Sequence, residues 1–306
     1  MLNGIINIYK EPGFTSHDVV AKLRGITHQK KIGHTGTLDP DAEGVLCVCM
    51  GAATRVCDML TDATKQYEAV CLLGVTTDTQ DTSGQVLSET AVDVSEEDVR
   101  ACIAGFIGEI DQIPPMYSAL KKDGRKLYEL ARAGIEVERE PRRITVYDIE
   151  VISIELPEIT MRVTCSKGTY IRTLCNDIGE KLGCGACMKH LTRTRVGDFD
   201  LSTSHKLAEI EALAIEERIS NVLIPIADVF SDLPVATVTE AGAKRAVNGN
   251  LLDVKDVVTD AGSLHNIKQT DAARIKVVGP DGFFYGIYAY DPADGKYHPV
   301  KMFLCP

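Results

Sequence analysis

The residues with the clearest chemical potential lie in a polar loop that delivers one acid, Asp39, to the start of an apolar segment. Gly33, His34 and Gly36 precede the acid, and Pro40 follows it. Glycine permits backbone angles and close approaches that a Cβ would forbid, and proline keeps the residue before it out of the helical region. A carboxylate held beside a histidine and apolar residues is suited to acid, base or nucleophilic chemistry.

The same loop allows three other interpretations. An acid before proline is common in ordinary turns, and this alternative stays open on the local pattern. Asp39, Asp41 and Glu43 imitate the start of an EF-hand, but the twelfth position of such a loop requires a bidentate glutamate and is Met50 here. A Walker phosphate loop would end in Gly-Lys-Ser or Gly-Lys-Thr, which this stretch lacks. Calcium and nucleotide-phosphate sites are therefore excluded.

The composition indicates a soluble chain with one large and one small domain, because 306 residues exceed the usual size of a single hydrophobic core. No apolar run approaches the length of a membrane span, and the N-terminus lacks a basic and then apolar signal sequence. Ten cysteines are scattered through apolar segments, which is typical of reduced thiols. A cytoplasmic protein without a membrane association is expected.

The charge is unevenly distributed along the chain. The formal net charge is −11, which by itself argues against a nucleic-acid partner. The segment 162–195 nevertheless carries seven lysines and arginines against two acids, whereas the segment 78–111 carries nine acids and one arginine. This segregation predicts one basic face that could follow a phosphate backbone.

Hydrophobic periodicity predicts the elements that must position the acid. The segment 41–64 after the loop reads as a buried strand and then a helix. The other predicted strands are 4–9, 67–73, 144–156 with its partner 159–165, 275–278 and 283–290. The predicted helices are 16–23, 95–106, 126–133, 169–182, 207–219 and 242–247. The pattern changes near residue 231, which indicates a small β-rich module after it.

Several longer motifs occur in a fixed order along roughly residues 1–200. They are Lys10-Glu11-Pro12-Gly13-Phe14-Thr15-Ser16, Gly33-His34-Thr35-Gly36-Thr37-Leu38-Asp39-Pro40, Gly44-Val45-Leu46, Gly51-Ala52-Ala53-Thr54-Arg55, Lys65-Gln66-Tyr67, Thr77-Asp78-Thr79-Gln80-Asp81, Pro114-Pro115-Met116-Tyr117-Ser118-Ala119 and Gly168-Thr169-Tyr170-Ile171-Arg172. In these motifs the chain resembles the TruB-type tRNA pseudouridine synthases.

The resemblance implies an α+β fold, with a mixed-sheet pseudouridine synthase catalytic domain at 1–230 and a small β-rich, PUA-like RNA-binding domain at 231–306. It implies isomerisation of one uridine in the T-arm loop of tRNA (position 55), after the nucleotide has been flipped out of its stack. The expected partner is tRNA, held at the T-stem-loop and, through the C-terminal domain, at the acceptor stem. A monomer that needs no cofactor and no metal is expected.

The resemblance assigns three catalytic residues. Asp39 is the ionised carboxylate, and the sequence leaves open whether it attacks C1′, adds to the base or removes the 2′ proton. Tyr67 stacks on the flipped uracil, and its hydroxyl could take the C5 proton; a tyrosine that merely fills a strand face is the alternative. Arg172 holds Asp39 bidentately and keeps it ionised, although a lone helical arginine is usually solvated.

Five further residues are assigned to substrate binding. His34 is expected to pack into the T-loop and help to displace the nucleotide, with a structural histidine as the alternative. Leu191 closes the site, Lys10 and Tyr9 line the entrance or brace the Asp39 loop, and Thr37 belongs to the same loop. Two positions depart from the family: Thr192 stands where arginine is frequent, and Arg55 replaces a frequent lysine. An inserted basic segment, Lys121, Lys122, Arg125 and Lys126, resembles an RNA-gripping segment, with a solvated helix end as the equal alternative.

A zinc site is the remaining metal hypothesis, since Cys184, Cys187 and His190 stand close together in the sequence. A second CxxC pair is lacking, and the resemblance places a helix-ending glycine followed by a helix here. Buried thiols are therefore the expected state.

Two other functional classes share parts of this pattern. A non-catalytic tRNA-binding or folding module could keep the same scaffold, but binding alone needs none of Asp39, Tyr67 and Arg172. A carboxylate hydrolase for small molecules would need a second well-placed acid, and Asp41 and Glu43 are too close to Asp39 in the chain to form such a pair.

Overall fold

The computed structural model describes residues 1–258 and 274–304, in which the chain forms two large sheets flanked by helices. The strands are β1 (Gly4–Lys10), β2 (Ile32–His34), β3 (Glu43–Met50), β4 (Lys65–Leu73), β5 (Val75–Thr77), β6 (Val86–Glu89), β7 (Gly108–Gln112), β8 (Lys121–Lys122), β9 (Arg125–Lys126), β10 (Arg142–Glu155), β11 (Glu158–Cys165), β12 (Ala186–Val196), β13 (Phe199–Asp200), β14 (Val235–Val238), β15 (Leu252–Asp253), β16 (Val257–Val258), β17 (Arg274–Val278), β18 (Phe284–Asp291) and β19 (Lys296–Met302). The α-helices are α1 (Ser16–Thr27), α2 (Cys57–Asp62), α3 (Glu96–Ala104), α4 (Leu127–Arg132), α5 (Ile171–Leu182), α6 (Leu207–Ile215) and α7 (Glu240–Ala246).

The first sheet is mixed and carries the Asp39 loop at its edge. Its strand order is β1-β3-β12-β4-β11-β10-β7, with β2 beside β3 and β13 beside β12. All its pairings are antiparallel except the one between β3 and β12. At that junction Gly44 (φ +104°) lies so close to Arg193 that a Cβ would come within 2.3 Å of the arginine's carbonyl oxygen. Only glycine allows the loop strand to lie this close to β12.

Helices cover the sheet on the faces that the sequence predicted to be apolar. In α5 the stripe Ile171, Leu174, Cys175 and Ile178 is buried, and Gly183 ends the helix in the left-handed conformation. This stripe packs with α3 and with the inward-facing side chains of β4, β11 and β12. Helices α1 and α6 cover β1 and β3 on one face. The predicted pairing of β10 with β11 is confirmed.

The second sheet has the order β15-β19-β18-β17-β14-β16, and its residue Ile287, together with Phe303 just after β19, shares a hydrophobic cluster with the first sheet. Phe230, just before its first strand, makes ring contacts with Phe284 and Phe303, at centroid distances of 6.1 and 5.6 Å. The same cluster includes Val45 and Cys47 of β3. The boundary at 230/231 and the PUA-like assignment stay predictions, and the parts of that module at 259–273 and 305–306 lie outside the described residues.

Two expectations about secondary structure were wrong. The helix expected after Gly183 is instead the strand β12, because Gly183 and Gly185, both at positive φ, reverse the chain and feed it between β3 and β4. The helix predicted at 207–219 ends at Ile215, since Glu217 adopts a left-handed conformation (φ 57°). None of the helices in 1–258 and 274–304 is long and apolar enough to cross a membrane.

Candidate active site

The Asp39 loop connects β2 to β3 and keeps its acid at the edge of the core. Gly36 has φ +142°, a value that favours glycine, so the expected conformational role of this residue is confirmed. Gly33 lies instead in β2 without a positive φ, and a Cβ there would be 3.4 Å from the sulfur of Cys57. Leu38 is buried in the core, whereas the Asp39 side chain next to it is 38% exposed. The acid therefore faces an opening while its neighbour anchors the loop.

Arg172 brings two carboxylates together. Its Nη2 lies 3.4 Å from both carboxylate oxygens of Asp39, and its Nη1 lies 3.5 Å from Asp81 Oδ2. Nη2 also donates to the carbonyl of Tyr117 at 2.6 Å. The expected fork-to-fork pair with Asp39 is therefore wrong in its geometry, because one nitrogen faces Asp39 and the other faces Asp81. Sequence reasoning did not assign Asp81 to the site, although the motif 77–81 was its signal.

Burial dominates the electrostatics of Asp39. Desolvation raises the pKa of its carboxyl above the ordinary value, and the neighbouring Asp81 and Asp41 add to the rise. The positive charges of Arg172 and Lys10 oppose it. Arg172 is only 7% exposed, so its charge is poorly screened by water. The arginine thus favours the ionised form of an acid that its surroundings would otherwise protonate.

Tyr67 contacts a second arginine that sequence reasoning missed. Burial raises the pKa of the Tyr67 hydroxyl, while a hydrogen bond to Arg193 and the charge of that guanidinium lower it. Arg193 is 1% exposed and donates to the carbonyls of Val45 (2.7 Å), Gly36 (3.3 Å) and Thr37 (3.5 Å). It forms no ion pair with an acid in residues 1–258 and 274–304. Its guanidinium thus joins the loop to the phenol and leaves a positive charge beside both.

Lys10 holds the other side of the loop. Its side chain is fully buried, and the ammonium donates to the carbonyls of Pro40 (2.9 Å), Phe14 (2.7 Å) and Glu11 (3.1 Å). These bonds use all three donors of a protonated lysine. Burial lowers the pKa of Lys10 to about 8, opposed by Asp41 and Asp39. The contact with Pro40 is what the bracing interpretation of Lys10 requires.

The remaining predicted residues differ in their burial and in their contacts. Leu191 is buried on β12 opposite Ala69, in the cluster that includes Leu38 and Tyr67. His34 is half-buried, and its Nδ1 accepts from the Gly36 backbone at 3.4 Å. Thr37 is exposed. Tyr9 contacts Glu43 and the Lys206 ammonium, so the structure gives it no contact with Asp39 among the interactions described.

The helix that carries Arg172 is anchored at its start by polar side chains. The Gln112 amide donates to the Tyr170 carbonyl at 3.0 Å and accepts from the Tyr170 backbone N–H at 2.8 Å. One turn later, the Thr173 hydroxyl donates to the Gln80 side chain at 2.7 Å. These contacts fix the first turn of α5, and with it the direction from which Arg172 approaches Asp39.

The expected basic face in 162–195 does not form as one surface. Arg172 and Arg193 are buried, and the other cations are mostly neutralised by nearby acids. Arg162 pairs with Glu150, Lys167 with Asp62 and Lys189 with Glu158. The inserted basic residues 121–126 form the hairpin β8–β9, whose last residue, Lys126, is also the N-cap of α4, and the first three of the four are exposed. Their contact with RNA stays a prediction.

Potential metal ligands cluster away from Asp39 in the described residues. Among them, three ligands meet within 4.8 Å at Asp291, Asp294 and His298, in the second sheet and on partly exposed side chains. Cys184 and Cys187 are buried free thiols, while His190 is exposed and contacts Glu43 at 3.1 Å. The charged groups that act on the Asp39 carboxyl are the guanidinium of Arg172, the ammonium of Lys10 and the carboxylates of Asp81 and Asp41.

Comparison with known proteins gives consistent matches over the whole chain. Residues 24–171 match the TruB family pseudouridylate synthase N-terminal domain, and residues 172–231 match the tRNA pseudouridylate synthase B C-terminal domain. The tRNA pseudouridine synthase B of Lachnoclostridium phytofermentans is 50% identical over 312 aligned positions, which cover 99% of this chain and 100% of that protein. The protein of the same name from Dehalococcoides mccartyi is 41% identical, over 100% of this chain and 98% of that protein.

Two solved structures are similar over nearly the full length. A chain from the crystal structure of a Cbf5–Nop10–Gar1 complex superposes with a TM-score of 0.73 and 30% identity, covering 98% of this chain and 85% of that one. A chain from an H/ACA RNP bound to a substrate RNA containing 2′-deoxyuridine gives a TM-score of 0.72 and 26% identity, over 99% and 85% of the two chains.

Proposed function

Because the chain belongs to the TruB family of pseudouridylate synthases, we propose that it isomerises one uridine in the T-arm loop of tRNA to pseudouridine. The enzyme class and the conversion of uridine to pseudouridine in tRNA follow from that membership. The choice of the T-arm loop and the roles of individual residues are the proposal. The single observation that supports it best is the carboxylate of Asp39, partly open to solvent and held 3.4 Å from the buried guanidinium of Arg172.

The reaction breaks the bond between C1′ and N1, turns the uracil and joins C1′ to C5. C5 then loses its proton to water and N1 takes one up, so that the product is an isomer of the substrate. An ionised carboxylate facing the ribose is the group this sequence of steps needs most. Asp39 supplies it in the proposed mechanism. Arg172 keeps the acid ionised despite the desolvation that raises its pKa. The arginine also fixes the acid's direction, since it is itself held by Asp81 and the Tyr117 carbonyl.

Tyr67 is proposed to hold the base. Because the pKa of its hydroxyl is raised, the phenol is neutral at neutral pH and is a poor base in the free enzyme. Stacking on the flipped uracil therefore becomes its main task, with Leu191 closing the apolar side. Arg193, which has no ion pair within the described part of the chain, places a positive charge beside the phenol and the loop. That charge would stabilise negative charge on the base after the glycosidic bond breaks.

The uridine must leave its stack before Asp39 can reach the sugar. We propose that His34, at the start of the loop, fills the vacated space, which requires a neutral ring at working pH. Desolvation and the nearby His17 lower the pKa of His34, which favours that neutral form. Recognition of a folded loop by its shape, with few base-specific contacts, fits a protein with a formal net charge of −11.

The second sheet is proposed to act as a PUA-like module that extends contact to the acceptor stem, with the chain working as a monomer. We also propose the cytoplasm as its location, which is supported by the nine cysteines of the described residues, all of them free thiols.

The proposed activity is tested with unmodified tRNA transcripts carrying 5-tritiated uridine. We expect the wild-type protein to release tritium once per tRNA, and a transcript with cytidine at the T-loop target to release none. Asp39→Asn should release none while keeping its affinity for tRNA, since the amide has nearly the same size. Tritium release by neither protein, with tRNA binding retained, would favour a non-catalytic tRNA-binding module. Release from other sites would contradict the T-arm assignment.

A further inference from the structure

The first turn of α1 contacts the Asp39 loop at two points, through Ser16 and through His17. Ser16 is fully buried, and its hydroxyl accepts from the Leu38 backbone N–H at 2.9 Å and lies 3.4 Å from the Leu38 carbonyl. His17, the next residue, meets the ring of His34 edge to face, with centroids 5.3 Å apart and planes at 78°. One turn of helix therefore contacts both ends of the loop.

The helix itself does not need either side chain. Its N-cap is Thr15, whose hydroxyl accepts from the Asp18 N–H, while the Asp18 carboxylate accepts from the Thr15 N–H. This capping box satisfies the helix start without Ser16. Alanine at the Ser16 position would favour the helix at least as well. The hydrogen bonds described for the Ser16 hydroxyl go to Leu38, so its chemistry serves the loop.

Leu38 is the residue through which Ser16 acts. The Leu38 side chain is packed in the core and its backbone is held by Ser16 on both the N–H and the carbonyl. The peptide unit that follows Leu38 carries Asp39, whose carbonyl accepts from Ala42 at 3.2 Å. Fixing the backbone on both sides of the acid limits the directions in which its carboxylate can point.

His17 acts on the other end. His34 accepts the Gly36 N–H through Nδ1, and the edge-to-face contact with His17 restrains the plane of its ring. Edge-to-face packing is a preferred arrangement of two aromatic rings. Together the two contacts pre-set the ring before RNA arrives, which reduces the entropy lost on binding.

We propose that the first turn of α1 is the positioning element of this site, in which Ser16 orients Asp39 through Leu38 and His17 orients His34. The proposal rests on the proposed function, because it assigns Asp39 to the chemical step and His34 to displacement of the nucleotide. It predicts that two neighbouring residues affect two different kinetic quantities.

The test measures the single-turnover rate at saturating protein, the Kd for tRNA and the thermal midpoint. Ser16→Ala should lower the single-turnover rate about tenfold or more with an unchanged Kd, since it leaves the Leu38 N–H without its partner. His17→Ala should raise the Kd about threefold and leave the rate unchanged, and His17→Phe, which keeps an aromatic ring, should restore the Kd. Thr15→Ala is the matched control: it removes the cap of the same turn and should lower only the thermal midpoint.

A double-mutant cycle separates positioning from simple stability. In a His34→Ala background, His17→Ala should cause no further change in Kd, because the residue it positions is gone. If Ser16→Ala and His17→Ala behave like Thr15→Ala, or if His17→Ala is additive with His34→Ala, the inference is overturned while the proposed function stands. A wild-type protein that releases no tritium would overturn both.

Discussion

The loop that carries Asp39 and the helix that carries Arg172 are held in place by opposite means. The loop is held by hydrogen bonds between its backbone and polar side chains from distant parts of the chain. Ser16 bonds to Leu38, Lys10 to Pro40, and Arg193 to Gly36 and Thr37. Helix α5 rests on a buried apolar stripe with few polar contacts, chiefly at its first turn.

Because of this difference, we expect substitutions around the loop to change the reaction rate and substitutions on α5 to change the stability. Apolar packing is spread over many contacts, so a substitution on α5 should mainly change the free energy of unfolding. A buried hydrogen bond to a loop carbonyl fixes one backbone position, so its loss changes the position of the acid. Arg172 is the residue at which the two regions meet.

The largest effect is expected for Arg172→Met. The change leaves Asp39 and Asp81 facing each other without the cation between them, so one of the two carboxyls should take up a proton. We expect the single-turnover rate to fall about a hundredfold to a thousandfold, with tRNA affinity largely retained. Arg172→Lys keeps the charge but lacks the fork that reaches both acids, and should recover part of the rate. A rate close to the wild type in Arg172→Met would show that the two regions are not coupled through this residue.

An intermediate effect is expected for Lys10→Met, with Lys65→Met as the matched control. Both lysines are buried, both have pKa values lowered to about 8 by burial, and both donate to three carbonyls. Lys65 donates to the carbonyls of Leu60, Thr61 and Ala63, at the end of α2. Each substitution should cost about 1–2 kcal/mol in the free energy of unfolding.

Only Lys10→Met should also slow the folded enzyme, by about tenfold, because its carbonyl partners include Pro40 next to the acid. Urea denaturation and single-turnover assays of the two variants measure the two quantities. Equal rate losses would contradict the distinction between anchors of the loop and anchors elsewhere.

The smallest effect on rate is expected on α5, at Asp177. Burial raises the pKa of this carboxyl from 3.8 to about 6, with a hydrogen bond from Asn176 opposing the rise. The folded state therefore binds the proton more tightly than the unfolded state, and stability falls as pH rises from about 4 to about 6. Asp177→Asn should stabilise the protein by about 1–2 kcal/mol at pH 7 and by nearly nothing at pH 4, at an unchanged rate. Equal stabilisation at both pH values would rule out this titration as the cause.

Hydrophobic periodicity and the positions of glycine and proline were enough to predict most of the secondary structure. The stripe of α5, its end at Gly183, the pairing of β10 with β11 and the conformation of Gly36 all follow from local rules. The strand β12 was missed, because its placement depends on partners more than a hundred residues away in the chain. Such tertiary contacts override a local expectation.

The polar part of the site was the hardest to anticipate. From the sequence alone, Arg193 is expected to be an exposed base like other charged residues. It lies two positions after Leu191 on β12, so both side chains point to the same, buried face of the strand. Ser16 carries no chemical signal, because its partner Leu38 is an apolar residue 22 positions later. Asp81 becomes a site residue only through Arg172. Long-range hydrogen bonds of this kind leave no periodic pattern in the sequence from which they could be predicted.

The central claim is that Asp39 is an acid which its surroundings tend to protonate and which Arg172 keeps ionised. Carbon-13 NMR titration of aspartate carboxyls, with the Asp39 signal assigned by its loss in Asp39→Asn, measures this directly. We predict a pKa above the ordinary aspartate value in the wild type and a further rise in Arg172→Met. A pKa at or below the ordinary value that does not respond to the loss of Arg172 would contradict the claim.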